Sequence, residues 1–305
     1  MKNELIFEMD KISKIKFITL IVLLCISLMP AQTIRTELLY PNGAPDAKGD
    51  SDGDKPSITY FIPEEGTGDS TAVLICPGGG YGGLAITYEG YDVAKWLNGL
   101  GITGVVLKYR YANSGAGYKH PVPLHDVQRA MSLLRSIAAE LKINPDKIGV
   151  LGFSAGGHLA ASLGTHFYLG DENAADPMKR ISCKPDFMIL IYPVITMDTP
   201  YTHIGSRINL LGRHPDQKLV DYMSDEKQVT KETPPAFIVQ AVEDKVVPVE
   251  NSIMFYTALR KAGVPVEMHI YWQGDHGFGL GINKGEVSTW TELCKNWMQT
   301  LHIIK

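Results

Sequence analysis

Short β-rich runs alternate with helical patterns along most of this chain, and that alternation constrains its fold more than any other feature. The predicted strands are rich in Val, Ile and aromatic residues, and the predicted helices carry apolar residues at helical spacing. The strands are predicted at Ser57–Phe61, Ala72–Cys76, Ile102–Leu107, Ile148–Leu151, Phe187–Ile191, Ala236–Ala241 and Glu267–Tyr271, and the helices at Tyr91–Asn98, Leu124–Leu141, Ala155–His166, Val249–Lys261 and Thr289–Leu301. The pattern predicts an α/β fold with a mostly parallel, twisted sheet and helices on both faces. Because right-handed crossovers bring the carboxyl ends of parallel strands to one edge, we expect the functional site there.

The N-terminal segment has the pattern of a secretory signal peptide. Three lysines between residues 11 and 16 precede an apolar run over residues 17–28. That run is shorter than the roughly 20 residues that a membrane-spanning helix needs. We therefore predict a signal peptide over residues 1–31, cleaved after Ala31, and a secreted or periplasmic protein without stable membrane insertion. The alternative is an uncleaved membrane anchor.

One large domain is expected after this segment. Residues 32–56 are predicted to form a connector, and residues 57–305 a single domain with a small lid insertion at about 196–232. Short helices are predicted within the lid near Ile208–Leu211 and Leu219–Met223. The loop at 108–121 is also long, and such loops usually act as lids or binding loops.

Charge and cysteine content exclude several classes of protein. The formal charge is −4 and the sequence has no basic patch, so we expect no nucleic-acid partner. The acidic stretch from Asp46 to Asp54 resembles a calcium loop but lacks its glycine and distal glutamate, so it is predicted to be a solvated connector. Beyond residue 31, Cys76, Cys183 and Cys294 allow at most one disulfide and carry no zinc-binding spacing.

A serine stands between a predicted strand and a predicted helix in Gly152-Phe153-Ser154-Ala155-Gly156-Gly157. G-x-S-x-G in this context is typical of a nucleophile elbow, a sharp turn that presents the serine hydroxyl at the top of the sheet. Glycines flank the serine because the turn leaves no space for side chains. Ser154 is therefore the predicted nucleophile.

A serine hydroxyl needs a histidine as base and a carboxylate that orients the histidine. In α/β-hydrolases these follow the serine in the order acid, then histidine. Asp244 follows the strand that ends at Ala241, and His276 follows the strand that ends at Tyr271. We predict these two as acid and base, with Glu243 as the alternative acid.

Other titratable residues near these motifs receive structural roles. His158, one helical turn after Ser154, is predicted to be a packed or hydrogen-bonding helix residue. Asp126 lies near the start of a predicted helix, where N-terminal capping explains it. The remaining histidines stand in the wrong topological places for a base, and they include His120, His125, His203, His214 and His269.

A glycine-rich loop, Cys76-Pro77-Gly78-Gly79-Gly80-Tyr81, directly follows a predicted strand. We predict that the N–H groups of Gly79, Gly80 and Ala155 form an oxyanion hole. A phosphate-binding loop is disfavoured because no Lys-Ser/Thr follows the glycines. Tyr81 and Tyr109 are the predicted substrate-binding residues, since sugar sites use aromatic faces. The mechanism requires no metal and no cofactor.

Together, the glycine-rich loop, the GFSAGGHLA elbow, the D-x-V-V-P acid segment and the DHGF segment resemble α/β-hydrolase carbohydrate esterases. These are the acetyl xylan and feruloyl esterase-like group, related to hormone-sensitive-lipase-type esterases. The resemblance extends from about Ser57 to the C-terminus, although Pro77 replaces the histidine of the lipase-type HGGG motif. It implies an α/β-hydrolase fold and a serine esterase that acts on short acyl esters, most simply acetate on xylan or a related plant polysaccharide.

Several alternatives to that function stay open at this stage. They are a feruloyl esterase, a broad carboxylesterase or lipase-like enzyme, a serine exopeptidase, and a non-catalytic hydrolase-like binding protein. The motifs give no basis for glycosidase activity, which usually takes two facing carboxylates.

Overall fold

The computed structural model describes residues 33–64, 68 and 70–305, so the predicted signal peptide lies outside the described residues. Eight strands form one sheet in the order β1-β2-β4-β3-β5-β6-β7-β8. The pairs β1–β2 and β2–β4 are antiparallel, and all other neighbours are parallel. The strands are β1 (Thr33–Leu38), β2 (Ser57–Ile62), β3 (Ala72–Cys76), β4 (Thr103–Lys108), β5 (Ile148–Phe153), β6 (Met188–Ile191), β7 (Ala236–Ala241) and β8 (Val266–Tyr271). This confirms the predicted α/β-hydrolase fold.

Helices cover both faces of the sheet. The described α-helices are α1 (Asp92–Gly99), α2 (Val122–Ser136), α3 (Ser154–Thr165), α4 (Ile204–Leu211), α5 (Gln217–Tyr222), α6 (Glu250–Lys261) and α7 (Trp290–Thr300). α4 and α5 lie within the insertion predicted at 196–232. Among the described residues, no helix is long and apolar enough to cross a membrane.

The central strands are buried on both faces because successive side chains point to opposite sides of the sheet. In β5, Ile148 and Val150 join the apolar cluster that includes α2, α3 and α6. Leu151 and Phe153 join the other cluster, which includes α1 and α7. These two clusters position the loops at the carboxyl edge of the sheet.

The connector prediction for residues 32–56 is wrong in two places. Thr33–Leu38 forms β1, whose residues are alternately exposed and half-buried, and its polar composition (TIRTEL) conceals the strand. Asp54 is buried rather than solvated, and accepts hydrogen bonds from Ser51 Oγ (2.6 Å) and the Ala116 N–H (2.9 Å). The segment therefore packs against the 108–121 loop.

The second helix is shorter than predicted, and the three cysteines are unpaired. α2 ends at Ser136 rather than Leu141, and the chain turns at Lys142, which has a φ of +56°. That turn lets both Leu141 and Ile143 enter the core. Within the described residues, the three cysteines are free and buried.

Candidate active site

Ser154 occupies a strained turn between β5 and α3. Its φ is +53°, a left-handed conformation that is uncommon for residues other than glycine. The neighbouring backbone forces glycine on both sides. A Cβ on Gly152 would lie 2.1 Å from the Gly156 carbonyl oxygen, and a Cβ on Gly156 would lie 2.1 Å from the Cys76 carbonyl oxygen. The turn thereby fixes the Ser154 hydroxyl at the carboxyl edge of the sheet.

A hydrogen-bonded chain joins the three side chains that the sequence singles out. His276 Nε2 lies 2.8 Å from Ser154 Oγ, and His276 Nδ1 lies 2.7 Å from Asp244 Oδ2. Ionised aspartate only accepts hydrogen bonds, so Nδ1 carries the ring proton and Nε2 is free to accept one from the serine. The predicted nucleophile, base and orienting acid therefore lie in one hydrogen-bonded line.

The loop after β7 fixes the Asp244 carboxylate. Its Oδ1 accepts from the N–H groups of Val246 (2.8 Å) and Val247 (2.9 Å), and its Oδ2 also accepts from Gln240 Nε2 (3.1 Å). Asp244 is 8% exposed, whereas Glu243 lies on the surface. The alternative acid is thus not part of the hydrogen-bonded chain.

The glycine-rich loop after β3 runs beside the elbow. Gly79, Gly80 and Tyr81 have φ values of +133°, +62° and +54°. A Cβ on Gly78 would lie only 3.0 Å from Ser154 Cβ, which measures how closely the two loops approach. Across the described residues, the N–H groups of Gly79, Gly80 and Ala155 have no hydrogen-bond partner. They remain the predicted donors to an oxyanion.

Tyr81 and Tyr109 do not offer stacking faces to a substrate, which corrects the prediction for both. Each is 1% exposed. The Tyr81 hydroxyl bonds to His158 Nδ1 (2.8 Å), and the Tyr109 hydroxyl donates to the Pro77 carbonyl (2.8 Å). Both phenols lie buried against the glycine-rich loop. Tyr81 has a left-handed backbone conformation, and its ring points into the core.

His158 and Asp126 are both buried structural residues. His158 Nε2 also lies 2.8 Å from the Met223 carbonyl, so the ring is a packed, hydrogen-bonding residue as predicted. Asp126 is not a cap, because α2 begins at Val122. Its carboxylate forms a buried two-point pair with Arg110, with Nη2–Oδ1 2.7 Å and Nε–Oδ2 3.0 Å. That pair anchors the loop that precedes α2.

The insertion brings side chains to the site that the sequence patterns did not identify. Asn209 Nδ2 in α4 donates to the Gly80 carbonyl (2.8 Å). His203 caps α4, and its Nδ1 accepts from the Ser206 N–H (3.3 Å), which leaves the ring proton on Nε2. A Cβ on Gly80 would lie 3.6 Å from His203 Cε1. Burial and the nearby charge of His276 lower the pKa of His203.

Glu89 is a second side chain that the sequence patterns missed. It is buried beside the glycine-rich loop, where its carboxylate accepts from the Gly78 N–H (2.8 Å) and the Tyr192 hydroxyl (2.8 Å). Neither partner is near it in the sequence, so only the tertiary structure could reveal the contact. In the part of the chain that the structure describes, no three His, Cys, Asp or Glu side chains form a group that could hold a metal ion.

Comparison with known proteins places these features in a family. The sequence model of the BD-FAE family matches residues 59–259, which is more than half of the chain. An acetylxylan esterase from Xylanibacter ruminicola is 39% identical over 235 residues, covering 76% of this chain and 45% of that protein. An endo-1,4-beta-xylanase B from Butyrivibrio fibrisolvens is 40% identical over 223 residues, covering 71% of this chain and 35% of that protein. This chain thus spans less than half the length of these curated relatives.

A solved structure shows the same fold over nearly the whole chain. The acetyl ester-xyloside bifunctional hydrolase from Caldicellulosiruptor lactoaceticus superposes with a TM-score of 0.83 at 41% identity. The match covers 91% of this chain and 99% of that one. The carboxylesterase Cest-2923 from Lactobacillus plantarum shares the fold, with a TM-score of 0.70 at 22% identity.

Proposed function

This chain belongs to the BD-FAE family, and from that premise we propose that it is a secreted serine esterase that removes short acyl groups from plant polysaccharide. Acetate on xylan is the simplest substrate of this class. The observation that carries the proposal is the hydrogen-bonded chain from Ser154 through His276 to Asp244 at the carboxyl edge of the sheet. That chain has the geometry of acyl transfer through a serine nucleophile.

The reaction begins when Ser154 Oγ attacks the ester carbonyl carbon while His276 Nε2 takes the hydroxyl proton. The carbonyl oxygen becomes an oxyanion, which the N–H groups of Gly79, Gly80 and Ala155 stabilise. His276 then gives its proton to the sugar oxygen as the carbon–oxygen bond breaks. Water, activated by the same histidine, releases the acyl group and restores the serine. Asp244 holds the imidazolium at both steps.

The relatives support the substrate class. The 39% identical relative is an acetylxylan esterase, and the structure at a TM-score of 0.83 is described as an acetyl ester-xyloside hydrolase. The predicted signal peptide agrees with a polymeric substrate outside the cell. On the insertion, the ring of His203 lies beside Gly80, where a sugar would extend from the ester, and its Nε2 is a polar group there.

Xyloside cleavage is a second candidate activity, because the name of that solved structure includes it. The xylanase relative carries less weight, because only 35% of its length matches this chain. The assay should therefore include a nitrophenyl xyloside. Activity on the xyloside that survives Ser154→Ala would require a separate site.

A comparative assay tests the proposed function. Wild-type enzyme and Ser154→Ala are given acetylated xylan, a feruloyl ester, a medium-chain nitrophenyl ester and an aminoacyl amide. We expect kcat/KM of the wild-type enzyme to be highest for the release of acetate from acetylated xylan. The Ser154→Ala variant should turn over none of the substrates. Preference for the amide would indicate an exopeptidase. Failure of a fluorophosphonate to label wild-type Ser154 would indicate a non-catalytic protein.

A further inference from the structure

Glu89 is a buried acid whose position the acyl-transfer steps alone do not explain. It lies in a one-turn π-helix, Thr87–Tyr91, that leads into α1, and such turns occur frequently at functional sites. The side chain is 2% exposed. Within the described residues, no lysine or arginine forms an ion pair with it. Burying an acid without a cationic partner costs free energy, and hydrogen bonds to its carboxylate are what can offset that cost.

The direction of the hydrogen bonds fits the ionised form of Glu89. The Gly78 N–H can only donate, and it donates to Oε2 at 2.8 Å. The Tyr192 hydroxyl accepts from the Gly279 N–H at 2.9 Å, so its own proton points to Glu89 Oε1 at 2.8 Å. Both carboxylate oxygens therefore act as acceptors. The pKa of Glu89 is raised overall, because burial outweighs these hydrogen bonds and the nearby His276, which lower it.

These contacts join the two loops that must meet during catalysis. Gly78 begins the glycine segment whose next two N–H groups are the predicted oxyanion donors, and Gly279 lies three residues after His276. The Tyr192 ring also packs edge-on against the His276 imidazole, with centroids 4.8 Å apart. One carboxylate and one phenol thus connect the oxyanion loop to the histidine loop.

We propose that Glu89 is a positioning residue of the esterase reaction, which holds these two loops in register and keeps a fixed negative charge behind His276. The inference rests on the proposed function. In the transition state the imidazole gains a positive charge, and a fixed anion nearby stabilises that charge without reorganisation. Asp244, Tyr192 and His203 are the other titratable groups that face His276, and Tyr88, Tyr192 and His276 itself face Glu89.

The test replaces Glu89 by glutamine, which keeps the shape of the side chain and removes its charge. With nitrophenyl acetate we expect kcat to fall by roughly 10- to 100-fold while KM changes by less than about threefold. Loss of the anion makes protonated His276 less favourable. The midpoint of the acidic limb of kcat/KM should therefore move to lower pH by about half a unit or more.

Tyr192→Phe provides a second test that keeps the charge and cuts the link to Gly279. We expect a fall in kcat of at least about fivefold with a smaller shift of the acidic limb. The matched control is Tyr60→Phe, which removes a hydroxyl that donates to Glu37 on β1 from a tyrosine that is also 0% exposed, and should leave kcat unchanged. A folded Glu89→Gln enzyme with wild-type kcat and pH profile would overturn the proposal. So would a Tyr192→Phe enzyme that matches the Tyr60→Phe control, and this comparison decides the question if Glu89→Gln does not fold.

Failure of this inference differs from failure of the proposed function. A wild-type enzyme that cleaves nitrophenyl acetate but not acetylated xylan overturns only the substrate class, and the Glu89 experiment proceeds unchanged. A wild-type enzyme that is inert toward both esters and toward a fluorophosphonate overturns the proposed function and the role of Glu89 with it.

Discussion

At the scale of single residues, the backbone of Ser154 is strained, and the strained conformation fixes where its side chain lies. A non-glycine residue with a φ of +53° costs about 1–3 kcal/mol relative to a relaxed conformation. The strain is sustained because β5 and α3 are buried on either side and fix the turn. This conformation places Ser154 Oγ 2.8 Å from His276 Nε2.

This strain makes two substitutions at Ser154 distinguishable. Both Ser154→Ala and Ser154→Gly should lower kcat by several orders of magnitude, because the nucleophile is lost. Glycine tolerates the left-handed conformation, so we expect Ser154→Gly to be more stable than Ser154→Ala by about 1 kcal/mol. Urea denaturation measures the difference. An alanine variant that retains a tenth of wild-type activity would place the nucleophile elsewhere.

At the scale of elements, α3 approaches the loop after β3 more closely than any side chain permits. Gly156→Ala would place a Cβ 2.1 Å from the Cys76 carbonyl oxygen and 2.5 Å from that of Pro77. Both obstacles are backbone atoms, so α3 or the glycine-rich loop must move. We expect a loss of more than about 3 kcal/mol in the free energy of unfolding, together with loss of activity.

The matched control for Gly156→Ala is Gly99→Ala at the end of α1. A Cβ on Gly99 would meet no atom within 4 Å. Alanine should therefore be neutral or slightly stabilising there, through reduced entropy of the unfolded chain. Equal stability of the two variants would show that the packing of α3 against the glycine-rich loop tolerates a side chain.

Elements also show which features a sequence can reveal. β3, β5 and β7 are buried on both faces and almost entirely apolar, with Gln240 as their one polar side chain, so their composition predicts them. The motifs at their carboxyl ends predict Ser154 and Asp244. β1 remained hidden because an edge strand with polar alternation resembles a connector. Glu89, His203 and Asn209 remained hidden because they approach the glycine-rich loop from other segments of the chain, and no local pattern records such contacts.

At the scale of the whole molecule, His158 connects three separate segments. Its ring bonds to Tyr81 on the glycine-rich loop and to the Met223 carbonyl at the end of α5 in the insertion, while its backbone belongs to α3. Burial lowers the pKa of His158 to about 4, from about 6.5 in the unfolded chain. The neutral ring is therefore part of the folded arrangement.

This shift predicts a loss of stability in acid. Between pH 6.5 and about 4 the unfolded chain binds a proton at His158 that the folded protein does not. The contribution of His158 to the free energy of unfolding therefore falls as the pH decreases. The nearby Asp225 acts in the opposite direction, because burial raises its pKa. Comparison of wild type with His158→Asn isolates the histidine. We expect the variant to lose less stability than wild type between pH 7 and 4.5 in urea titrations, and equal losses would contradict the assignment.

We expect the insertion, together with the catalytic edge, to set which acyl chains the enzyme accepts. The insertion reaches the glycine-rich loop through polar contacts, with Asn209 bonded to the Gly80 carbonyl and His203 beside Gly80.

A site that favours long acyl chains needs a broad apolar surface to receive them. Each methylene that such a surface buries would contribute up to about 0.8 kcal/mol, so kcat/KM would rise with chain length. We expect no such surface beside Gly80, so that added methylenes bring no gain. We therefore expect kcat/KM for nitrophenyl esters to be highest at acetate and to fall steadily toward decanoate. The companion variant Asn209→Ala should lower kcat/KM on every ester by a similar factor, because it loosens Gly80 rather than enlarging an acyl pocket. A maximum at eight carbons or more would instead favour a lipase-like enzyme.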